Sequence, residues 1–108
     1  MNLDINRVIT DVLAAIKGTV VNNQDKVESV AKQFLIQNKE TLILIAELRV
    51  SGELNDEDFK SRMEDQKLVL EAQFNALQVI SKAIAQQAAN AAIDVLEKAI
   101  IAVVKGVL

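Results

Sequence analysis

Cysteine, histidine, proline, tryptophan and tyrosine are all missing from this chain of 108 residues, and glycine occurs only three times. Each absence removes a class of chemistry. Without cysteine there is no disulfide, no thiolate nucleophile and no iron–sulfur cluster, and the usual structural zinc sites are excluded. Without histidine the commonest general base near neutral pH is gone, and so is the commonest transition-metal ligand. A di-iron bundle built on Glu-x-x-His pairs and a Ser-His-Asp triad are both impossible. Gly18, Gly52 and Gly106 stand alone, so no glycine-rich phosphate loop is present. No cofactor is expected. The lack of proline and the scarcity of glycine also leave little to interrupt a helix.

The residues that are present indicate a packed, aliphatic domain. Hydrophobic residues make up 51% of the chain and charged residues 25%, a balance that excludes disorder as the default state. Aromatics are 3%, all of them Phe. Twelve basic and fifteen acidic side chains give a net charge of −3. The halves are alike: residues 1–54 hold six basic and seven acidic groups, residues 55–108 six and eight. No basic cluster forms, so nucleic acid is not an expected partner. No small-molecule substrate is evident either. Asp4 and Asp11 interrupt the N-terminal apolar positions, which argues against a signal peptide. The longest apolar run, Ala99 to Val104, falls far short of the ~20 residues that span a bilayer. A soluble, cytoplasmic chain is expected.

Helical periodicity runs through the whole sequence. Ile5, Val8, Ile9, Val12, Leu13, Ile16 and Val20 recur at three- and four-residue spacing, the signature of an amphipathic helix. Asn22 and Asn23 are the first irregularity, yet the apolar series resumes in phase at Val27, Val30, Ala31, Phe34 and Leu35. The clearest boundary is a corner formed by Ser51, Gly52, Leu54, Asn55, Asp58 and Phe59. Gly52 suits the left-handed residue that ends a helix, and Asn55 is placed to cap the next one. Leu54 and Phe59 are spaced as a hydrophobic staple, and Asp56, Glu57 and Asp58 face the positive end of the new helix. The string Gly52-Glu53-Leu54-Asn55-Asp56-Glu57-Asp58-Phe59 resembles a short C-terminal oligomerisation module of many bacterial proteins. In length and layout the chain is also similar to small secreted helical hairpins with a Trp-x-Gly turn, here replaced by Val50-Ser51-Gly52. Neither resemblance assigns a family.

The expected fold is all-α: a long antiparallel hairpin with arms over about 3–50 and 56–106, with kinks near 22 and 86 if the arms are broken. At 1.5 Å per residue each arm would reach roughly 75 Å when straight. Two hairpins would then dimerise into a four-helix bundle, and a compact single-chain four-helix bundle is the alternative. The C-terminal segment supplies the reason for dimerisation. Over residues 91–107 the apolar positions cover about 200°, twice the roughly 100° stripe that one neighbour buries. Ile93, Leu96, Ile100, Val103, Val104 and Val107 are therefore the candidate interface, with a second copy or a partner helix as the occupant. A membrane-binding reading of the same helix, toxin-like or immunity-like, is the weaker alternative. Glu57, Glu64 and Glu71 repeat every seven residues, as do Glu40 and Glu47, but interleaved Lys and Arg make them a solvated face rather than a cation site. Phe34, Phe59, Phe74 and Met63 fall at core spacing. The expected class is a non-enzymatic self-association or partner-docking protein.

Overall fold

Side chains competing for backbone hydrogen bonds decide where the helices stop. The computed structural model describes residues 3–107, the Val107 side chain excepted, and is 85% helical with no strand among the described residues. Helix α1 spans Ile5–Thr19, and the Asp4 carboxylate caps it by accepting from the Arg7 amide at 3.2 Å. Helix α2, Gln24–Gln37, follows Asn23, whose left-handed φ of 60° turns the chain back. Helix α3, Lys39–Ser51, is separated from α2 only by Asn38. There the Asn38 side-chain amide donates to the Phe34 carbonyl at 2.8 Å, the same carbonyl its backbone amide uses. This competition bends the helix without ending the chain's direction.

The corner forms as its residues predict. Gly52 adopts φ 84°, and the Asn55 side-chain oxygen accepts from the Asp58 amide at 2.8 Å to open α4, Asp56–Ala76. Leu54 and Phe59 are both buried. Ser51 Oγ donates to the Leu48 carbonyl, and the Arg49 guanidinium lies 6.0 Å from the Phe59 ring centre and 3.9 Å from Asp56. Two i,i+4 ion pairs form along single helices, Lys60–Asp56 on α4 and Lys98–Asp94. Glu28 pairs with Lys17 on α1, which ties α2 to α1.

The second arm breaks earlier than expected. A kink near Gln86 is not found; the break lies at residues 77–81, before α5, Lys82–Val107. Gln78 turns the chain with φ 58°, and the Ser81 hydroxyl caps α5 by accepting from the Ile84 amide at 3.1 Å. Gln86 through Ala92 then continue as regular helix, because Ala and Gln are good helix formers. Ala85, Ala88, Ala89 and Ala92 are all buried there, so the small side chains mark close helix approach and not a bend.

These breaks fold the arms into four antiparallel rods: α1, α2–α3, α4 and α5. The start of α1 lies beside the end of α5, and the end of α1 beside the start of α5. The molecule measures 42 × 23 × 21 Å, so it is the compact single-chain arrangement and not a hairpin of straight arms. Its core is wholly apolar, with Phe34, Phe74, Ile16, Leu42, Met63 and Leu70 among the largest buried side chains.

Candidate functional site

The C-terminal helix obtains its neighbours inside the chain. Ile93, Leu96 and Ile100 are at most 5% exposed, packed in the common core that α5 shares with α1, α3 and α4. Val103 and Val104 are half-buried at its edge, and the Val107 side chain lies outside the described residues. The apolar arc that suggests an external interface is therefore used largely within the fold. Ile101 stays 40% exposed, on the outer side of α5.

What remains open is the seam between α1 and α5. Leu3, Val8, Val95, Ala99, Ala102 and Val103 form the apolar lining of a groove of about 650 Å³. Its edges are charged. Asp4, Arg7 and Asp11 stand one turn apart along α1, and Lys98 stands on α5, where it pairs with Asp94 at 2.9 Å. The groove exists because α5 carries small residues here: Ala99 and Ala102 leave a furrow that larger side chains would close. The sequence pointed to Val103 from the α5 side. Nothing in the sequence marks the α1 half, because Asp4, Arg7 and Asp11 belong to an ordinary polar face until α5 is laid beside them.

The described residues contain no group of three carboxylates able to hold a metal ion, and the Glu57–Glu64–Glu71 and Glu40–Glu47 faces do not converge. Phe34, Phe59, Phe74 and Met63 are fully packed in the core. Gln86, Gln87 and Asn90 face solvent. One titratable group is perturbed: partial burial of Glu97 between α5 and α4 raises its pKa, and the Asp94 charge adds to the effect. Lys60 and Lys67 on α4 oppose that shift. The Gln66 side-chain oxygen is buried without a hydrogen-bond partner, an isolated polar atom on α4. No helix of the described residues is long and apolar enough to cross a membrane. No protein-family model, curated protein or solved structure matches the chain.

Proposed function

We propose that the chain is a non-enzymatic helical interaction protein that pairs with a second copy of itself through the α1–α5 groove. The groove is the observation that carries this reading: it is an apolar strip bordered on both sides by charge, the anatomy of a docking surface. Asp4, Arg7 and Asp11 make the α1 edge net negative, while the α5 edge offers Lys98, paired with Asp94 in the single chain. A two-fold axis running along the groove sets α1 of each copy over α5 of the other, so the acidic α1 edge of each copy meets Lys98 of its partner. Four helices then pack in two layers, which keeps the bundle logic of the sequence with a different pairing surface.

The size of the surface sets the strength. Helix α1 has 15 residues, about 22 Å of length, and a face two helices wide spans about 20 Å. That plane is smaller than the roughly 800 Å² per partner of a standard interface, even allowing for side-chain relief. An interface this small belongs to the weak, transient class, a reversible dimer and not a permanent one. Sedimentation equilibrium across the micromolar range tests this. The mass should rise from 11.8 kDa towards twice that value. Ala102→Glu, at an exposed position on the groove, should hold the chain monomeric with its helical circular dichroism unchanged. A wild type that stays monomeric at several hundred micromolar contradicts the reading.

A further inference from the structure

The opposite surface of interest is the end of the bundle where α1 and α4 stop and α2 and α5 begin. Two connections meet there, residues 20–23 and 77–81, joined by the Asn23 side-chain amide donating to the Val79 carbonyl at 3.2 Å. Each carries a non-glycine residue in the left-handed region, Asn23 and Gln78, a conformation that persists only where the surroundings hold it. The loops so fixed turn apolar side chains outward. Val21 is 85% exposed, the most exposed large hydrophobic residue described, and Val79 is 40% exposed. Lys17, Lys26 and Lys82 lie in the helical turns that adjoin the loops, all three exposed, with Lys17 also within 3.7 Å of Glu28.

Charge is distributed along the molecule to suit this end. Residues 17–28 and 77–84 hold three lysines against Asp25 and Glu28, a local charge of +1. Residues 47–60, at the other end, hold Glu47, Glu53, Asp56, Glu57 and Asp58 against Arg49 and Lys60. That is −3, equal to the net charge of the whole chain. The long axis of 42 Å separates the two ends by several times the ~8 Å Debye length at physiological salt. A surface touching the loop end therefore meets a basic, apolar tip, although the protein as a whole is acidic.

We propose that this tip makes peripheral contact with an anionic lipid surface, with Val21 and Val79 entering the interface and Lys17, Lys26 and Lys82 at the level of the headgroup phosphates. The contact is independent of self-association, and a two-fold along the α1–α5 groove would point both tips the same way. Three lysines and two valines give a weak, salt-sensitive contact. Each lysine near such a surface contributes on the order of a fivefold change in partitioning.

Vesicle co-flotation tests it. The chain should float with phosphatidylcholine vesicles containing phosphatidylserine, should not float with phosphatidylcholine alone, and should be released by high salt. Val21→Asp with Val79→Asp should abolish flotation with helicity intact, since both sites are exposed. Lys26→Gln should weaken it about fivefold. Leu68→Asp, 53% exposed on the side of α4, should leave flotation unchanged. The proposal is overturned by absence of binding to anionic vesicles, or by binding that survives the two loop substitutions. It is also overturned if those substitutions leave flotation intact and instead shift the sedimentation mass, which would make the tip a contact between copies.

Discussion

Glu97 is the side chain whose ionisation the fold opposes. It lies between α5 and α4, with Asp94 on its own helix and Lys60, Glu64 and Lys67 facing it from α4. Burial and the two acidic neighbours outweigh the two lysines, so the folded chain holds its proton more tightly than the unfolded chain. The sign of the pH dependence follows by linkage. Between the ordinary value near 4.5 and the raised folded value, the native state binds more protons, so stability falls as pH rises through that window. Above it the penalty is fully present. Glu97→Gln should therefore be slightly more stable than wild type at neutral pH, and that advantage should vanish below about pH 4.5. Urea titrations at pH 4 and pH 7 would check this; an advantage that persists at pH 4 would mean the amide acts by packing.

Among the elements, α5 decides how tightly the bundle closes. Ala85, Ala88, Ala89 and Ala92 are almost completely buried, and they allow the neighbouring rods to approach closely. Ala88→Leu should destabilise the chain by about 1–3 kcal/mol through overpacking. Gln87→Leu, on the exposed side of the same helix, should change stability little, and thermal melts of the pair separate the two sites. Helical content and the corner at residues 51–59 are legible in the sequence, because several independent signals coincide there: glycine, an asparagine cap, acids in the first turn and the Leu54–Phe59 staple. The breaks at Asn38 and at residues 77–81 are much less so. Asn38 falls at helical spacing between Phe34 and Leu42 with no Gly or Pro beside it, and Ser81 has only the small Ala85 opposite Ile80 and no following acid. The Ala–Gln run near residue 86 is the more conspicuous irregularity, yet intrinsic propensity keeps it helical.

At the level of the whole molecule, breaking the arms changes what the apolar C-terminal helix is for. In a straight hairpin it would need a second copy to cover it; in the folded chain α1, α3 and α4 cover Ile93, Leu96 and Ile100, and the open seam moves to α1. That relocation was not legible in the sequence. The seam combines residues from the two ends of the chain, and only the tertiary placement of Asp4–Asp11 beside Val95–Val103 creates it. The central claim is that two copies meet at this seam. The chain has no cysteine, so Ala14→Cys, exposed one turn beyond Asp11, gives a single site for a nitroxide label. The direct measurement is the electron–electron dipolar distance between labels of two copies. Helices packed at 8–10 Å across the groove should give a single distance below about 30 Å. Absence of a dipolar signal at several hundred micromolar, or a distance near the 42 Å length of the molecule, would contradict pairing through the α1–α5 groove.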